Sequence, residues 1–164
     1  MEYFTEYTSP MGTLTLTGDD SFLTGLWLTP RTGLILRDDL PVFAQTKDWL
    51  DRYFRRQVPD PKYLPLCPAG TDFQKRVWQI LLAIPFGESR SYGQLAREMA
   101  RLLGKEKMSA QAVGNAVGRN PICIIIPCHR VLGAQGQITG YTGGLEYKRW
   151  LLRHEGIPYK EERT

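Results

Sequence analysis

Polar and apolar residues alternate strictly along Thr13-Leu14-Thr15-Leu16-Thr17, the period-two pattern of a strand with one buried face. Turn chemistry flanks it at Ser9-Pro10-Met11-Gly12 and Gly18-Asp19-Asp20, and residues 22–28 make another β-rich run. Residues 3–28 therefore predict a small antiparallel meander. The period then changes. Asp38-Asp39 offers an N-cap, Pro41 falls in the first turn, and Val42, Phe43, Trp49, Leu50, Tyr53 and Phe54 recur at helical spacing. This predicts a helix covering the sheet. Pro59, Pro61, Pro65, Pro68 and Gly70 give the following stretch a linker composition.

Helical spacing resumes beyond it. Thr71-Asp72-Phe73-Gln74 reads as a capping box, and Phe73, Val77, Ile80, Leu81 and Ile84 line one face until Pro85 and Gly87 end the helix. Ser91 caps a second helix running to about Leu103, and Ser109 caps a third that Asn120-Pro121 stops. The last two suggest a helix-turn-helix with a turn longer than the usual three or four residues. The third helix is bare, with Ala or Gly at 110, 112, 114, 116 and 118. Such a surface admits either a bulky partner or a neighbouring helix. Ile122 to Ile126 is continuously apolar and largely β-branched, the pattern of a buried strand. After an expected hairpin, a final helix carries Tyr147, Trp150, Leu151 and His154 on one face and stops at Gly156. The expected organisation is residues 1–66, the end of the linker at 67–70, a second domain at 71–156, and a tail at 157–164. The fold class is α+β: a small N-terminal antiparallel sheet with a covering helix, then a mainly helical domain.

Composition narrows the function. The 164 residues are 42% hydrophobic and 23% charged, enough for a folded core. The apolar runs are too short to span a membrane, and Met1-Glu2-Tyr3-Phe4 does not read as a signal peptide. Three cysteines, an odd number, point to a reducing, cytoplasmic setting rather than a disulfide framework. Residues 1–70 carry seven Lys/Arg against nine Asp/Glu, and residues 71–164 fourteen against eight. The basic excess belongs to the second half, where it suits either a polyanionic partner or an ordinary solvated face.

Chemistry concentrates at Pro127-Cys128-His129-Arg130. Neighbouring positive charge favours the thiolate, the nucleophilic form of cysteine. Cys123, inside the apolar run, reads as a buried inert thiol, and Cys67 as a spare one. Cys123, Cys128 and His129 lack metal-ligand spacing, so no metal site is expected. Glu155, at a helix C-terminus, is either an exposed glutamate or a carboxylate that orients His129, with Lys148, Arg149 and Arg153 near enough to balance its charge.

With Gly118-Arg119-Asn120-Pro121 before it, and Gly140-Tyr141-Thr142-Gly143-Gly144 and Trp150-Leu151-Leu152-Arg153-His154-Glu155-Gly156 after it, this motif closely resembles the O6-alkylguanine-DNA alkyltransferases, also called methylated-DNA–protein-cysteine methyltransferases. The resemblance is dense over residues 71–156 and loose over 1–66. It implies a monomer that binds duplex DNA containing alkylated guanine, uses no cofactor, and flips the damaged base into a pocket. Cys128 would take the alkyl group, with His129 as base, Glu155 behind it, Asn120 fixing the preceding loop and Tyr92 donating to the purine. Val117, Tyr141 and Thr142 would line the pocket. Ser91, Ala110, Gln111, Asn115, Arg119 and Arg130 would meet DNA, with Gln111 where the family usually carries an arginine. Each molecule would act once. Two other classes compete. A non-transferring DNA-binding relative should lack a cysteine at 128. A cysteine hydrolase usually draws its histidine from a distant part of the chain and needs an oxyanion hole.

Overall fold

The computed structural model describes residues 1–141 and 144–161, and the chain divides into two units: Met1–Ala69 with Pro121–Ile125, and Gly70–Asn120 with Ile126–Thr164. In the first, β1 (Tyr3–Ser9), β2 (Gly12–Gly18) and β3 (Leu23–Trp27) form the expected antiparallel meander. A short β4 (Ile35–Leu36) adds parallel to β1, giving the order β3-β2-β1-β4. The alternating strand is buried on both faces rather than one, since Thr15 and Thr17 are covered along with Leu14 and Leu16. Trp27 closes over the threonine side. Its Nε1 donates to Thr17 Oγ1 at 3.0 Å, and the Arg31 guanidinium stacks 3.8 Å from its ring centroid. A hydrogen-bonded hydroxyl can be buried where an unsatisfied one could not.

Helix α1 (Pro41–Phe54) lies against β1, β2 and β3 and buries Val42, Phe43, Trp49, Leu50 and Tyr53. Its N-cap is Leu40, not an aspartate. Asp38 instead accepts from the Thr5 hydroxyl at 2.5 Å, and Asp39 pairs with Arg37 at 2.8 Å. Pro41 has no N–H, so the helix start has one donor fewer to satisfy. The proline-rich stretch is fastened, not free: Leu23 N donates to Pro65 O, and Cys67 N to Leu23 O, both at 2.8 Å. Further along the same strand, Leu26 N donates to Pro121 O (2.9 Å) and Cys123 N to Leu26 O (3.3 Å). These bonds draw Pro121–Ile125 into this unit.

The strand expected at 122–126 is therefore absent. Only Ile122 bridges to Leu26, after which the chain turns tightly, with Ile125 N donating to Cys123 O at 2.8 Å. Ile124 sits at φ 70°, a conformation that β-branched residues rarely adopt. All five side chains are buried, and that burial offsets the local strain.

In the second unit the capping signals behave as expected. Thr71 and Gln74 close a capping box on α2 (Asp72–Leu82), and Ser91 and Gln94 another on α3 (Tyr92–Leu102). Ser109 caps α4 (Ala110–Gly118). Helices α2, α3 and α4 pack together, and Trp78 Nε1 donates to Ala116 O at 2.9 Å. Strand β5 (Arg90–Ser91) runs parallel to β6 (Val131–Leu132), and α5 (Leu145–Glu155) ends at a left-handed Gly156. The expected hairpin is only a turn: Gly133 N bonds Gln137 O at 2.7 Å, but Ile138 N then donates to Lys160 O at 2.7 Å. The segment after α5 is thus a pairing partner, and Ile157 packs with Leu132, Ile138 and Leu152. Among the described residues, no helix is long and apolar enough to cross a membrane.

Candidate active site

Cys128, His129 and Arg130 form one 3-10 turn, and all three are buried. The approach to it is pinned at one carbonyl. Ile126 O accepts from Asn120 Nδ2 and from Cys128 N, each at 2.8 Å.

Opposite stands the last turn of α5. The buried stripe of this helix is Lys148, Leu151, Leu152 and Glu155, rotated from the expected Tyr147, Trp150, Leu151 and His154. Two ionisable residues occupy core-facing positions, so hydrophobicity alone selects the neighbouring aromatic face. Trp150 and His154 instead stack on each other, centroids 5.0 Å apart, with Phe86 edge-on to His154. The Glu155 side chain is wholly buried. One oxygen, Oε1, accepts from Arg130 Nε (2.7 Å) and from the Gly87 amide (3.1 Å). The other lies 2.5 Å from His129 Nε2 and accepts from Arg130 Nη2 at 3.2 Å. Gly87 presents its amide from φ +83°, a left-handed conformation open to glycine. Burial pushes the Glu155 carboxyl up, but His129 and Arg130 outweigh it and hold the group well below the usual carboxylate range. The counter-charge is Arg130. Arg149, expected to help, pairs with Glu146 and Glu161, and Arg153 is exposed.

Burial is also the main influence on His129, and it lowers the imidazole's pKa despite Glu155. An ionised Glu155 accepts the hydrogen bond from Nε2–H, which leaves Nδ1 as the acceptor nitrogen. That atom is buried and bonds to no described residue. The neutral ring is therefore oriented and basic at one defined nitrogen.

Tyr92 opens α3, and its hydroxyl accepts from Thr139 Oγ1 at 3.2 Å. Burial raises the phenol's pKa, the Thr139 hydrogen bond lowers it, and the charge of nearby Cys128 raises it again. Lys148 is fully buried, donating to Val131 O (2.7 Å) and Thr139 O (3.2 Å). Burial depresses its pKa to about 8, partly countered by Cys128. Sequence reasoning missed Thr139, Gly87 and this use of Lys148. The only available signal was that Lys148 falls at i, i+3, i+4 and i+7 with Leu151, Leu152 and Glu155.

The bare helix resolves into two surfaces. Ala116 and Val117 face inward, and Gly114 lies against Tyr92, where an added Cβ would sit 3.5 Å from the ring. Ala110, Gln111, Asn115 and Arg119 are exposed, and Ser91 is half-buried at its cap. The turn between α3 and α4 adds an exposed basic hollow, lined by Arg97, Arg101, Lys105 and Lys107 with Glu106 among them. Arg130, expected at DNA, is buried. Its guanidinium is committed to Glu155 and, through Nη1, to Ile84 O at 2.7 Å. Tyr141 is half-buried, and Thr142 lies outside the described residues.

Residues 3–68 match the family model for the "6-O-methylguanine DNA methyltransferase, ribonuclease-like domain", and residues 72–157 match that for its "DNA binding domain". The methylated-DNA–protein-cysteine methyltransferase of Haemophilus influenzae is 41% identical, over 99% of this chain and 90% of that protein. Its counterpart in Mycobacterium leprae is 47% identical over 90% and 88%. A crystal structure of Mycobacterium tuberculosis OGT in complex with DNA superposes with a TM-score of 0.81 at 44% identity, covering 93% of this chain and 92% of that one. Two matched domains in the right order, with this identity over nearly the whole length, place the chain in the methylated-DNA–protein-cysteine methyltransferase family.

Proposed function

We propose that this protein repairs DNA by moving the alkyl group from O6 of an alkylated guanine onto Cys128. The observation that carries the reading is the thiol adjoining a buried, neutral imidazole whose far nitrogen is engaged by an ionised carboxylate. His129 Nδ1 takes the Cys128 proton through a bridging water, and Glu155 holds the ring as it gains charge. The sulfur then attacks the alkyl carbon in line. The S–C bond forms as the C–O6 bond breaks, and the electron pair passes to the purine. Tyr92, kept protonated by its burial, donates a hydrogen bond to the ring so that guanine leaves without full negative charge. The product is a thioether with no acidic proton and no good leaving group, so the thiol is not restored and each molecule acts once.

Duplex DNA meets the exposed side of α4 through Ala110, Gln111 and Asn115, with Ser91 and Arg119 alongside, and Gln111 fills the gap left by the extruded base. Val117 and Tyr141 line the base pocket, and Asn120 steadies the carbonyl before the thiol. The relatives' names and the DNA-bound neighbour support the substrate and the partner. We infer a monomer, as the family resemblance implies. Three cysteines, none of them in a disulfide, support a reducing compartment, the cytoplasm.

The test is intact-mass measurement after mixing with a duplex containing O6-methylguanine. One methyl group is expected, mapped to the peptide bearing Cys128. Cys128→Ser abolishes the gain and retains DNA binding. An unchanged mass, or a methyl on another residue, overturns the proposal.

A further inference from the structure

We propose that Thr139 is a positioning residue for alkyl transfer: its hydroxyl donates to the Tyr92 oxygen and so leaves the phenol's own proton for the reacting base. The inference rests on the transfer reading above, in which Tyr92 is the donor to the purine.

A phenol carries one hydrogen, and its oxygen accepts along the remaining lone-pair directions. If Thr139 were the acceptor, that hydrogen would be consumed within the protein. The bond runs the other way, from Thr139 Oγ1 to Tyr92 Oη at 3.2 Å. Two contacts hold the threonine in this role. Its methyl group fills the space beside Gly133, where an added Cβ would lie 3.0 Å from Thr139 Cγ2. Threonine is stiff about χ1, so fixing the methyl also fixes the hydroxyl. Its carbonyl accepts from Lys148 Nζ at 3.2 Å, and the same ammonium holds Val131 O at 2.7 Å, three residues past the thiol. The Tyr92 ring is steadied by the α4 backbone at Gly114. Donor direction, side-chain rotamer and ring position are thereby set before any base arrives, as preorganised electrostatics requires.

The experiment uses the full chain and single-turnover transfer from an O6-methylguanine duplex at saturating protein, with DNA affinity measured in parallel. Thr139→Val keeps the shape and removes the donor. It slows transfer by about fivefold, the worth of one ordinary hydrogen bond, at unchanged affinity. Thr139→Ala does the same, and Thr139→Ser restores most of the rate. In a Tyr92→Phe background, Thr139→Val has no further effect. The pH profile gives an independent readout. The donor must be protonated, and the Thr139 bond lowers the phenol's pKa, so its removal moves the alkaline limb upward. The proposal is overturned by a wild-type rate in Thr139→Val, by an equal loss in the Tyr92→Phe background, or by an unmoved alkaline limb. A wild-type protein that gains no methyl on Cys128 overturns instead the transfer reading on which this rests.

Discussion

Glu155 accepts from Arg130 through both oxygens, takes the Gly87 amide and abuts His129, with its side chain entirely out of solvent. Removing one partner of such a buried pair leaves an uncompensated charge. Arg130→Met should therefore lower unfolding stability by about 3–5 kcal/mol in chemical denaturation. A surface arginine that merely touched phosphate would cost almost nothing. The thiol and its histidine stand out by residue type, whereas the residues alone leave Glu155 open between an exposed glutamate and a partner of His129, and only the family resemblance chooses. The role of the arginine beside them was not legible, because a cation next to a nucleophile looks the same in sequence whether it faces a ligand or a buried carboxylate. Lys148 was hidden because a charged side chain does not read as core, whereas here it is buried on two backbone carbonyls.

Among the elements, α4 and the turn before it carry the outward chemistry. Seven residues, 103–109, separate α3 from α4, against the usual three or four, and they bring Lys105 and Lys107 to the surface. Each phosphate neutralised contributes about 0.9 to the salt dependence of binding. The double change Lys105→Gln with Lys107→Gln should therefore reduce the log–log salt slope by up to about two, read by titrating duplex DNA at several ionic strengths. An unchanged slope would place this turn away from the backbone. Helix starts were legible because a capping box is a local pattern, complete within four residues. The apolar run 122–126 was not, because a strand needs a partner, and Leu26 offers an edge for Ile122 and Cys123 only. The face of α5 was misjudged by one position because its buried stripe contains two charged residues.

For the molecule as a whole, both members of the His129–Glu155 pair have pKa values lowered by folding. The folded state then binds fewer protons than the unfolded chain, so stability rises with pH through each window. On acidification it should fall first below His129's ordinary value of 6.5, as the unfolded imidazole gains a proton that the buried ring resists. It should fall again below 4.5, as Glu155 is protonated in the unfolded chain first. Denaturation midpoints measured from about pH 7 down to about pH 3 check this. A level profile across the upper half of that range would mean the imidazole charges at no cost.

The path of the backbone carries a practical consequence. It passes from one unit to the other at residue 70, returns for Pro121–Ile125, and leaves again at Ile126. No single cut in the gene separates the two units without dividing one of them. A fragment starting at Gly70 would keep this five-residue excursion and forfeit Leu26, the strand residue that takes up its amide and carbonyl. The orphaned stretch would begin directly after Asn120 and end directly before Ile126, the two residues that anchor the thiol turn.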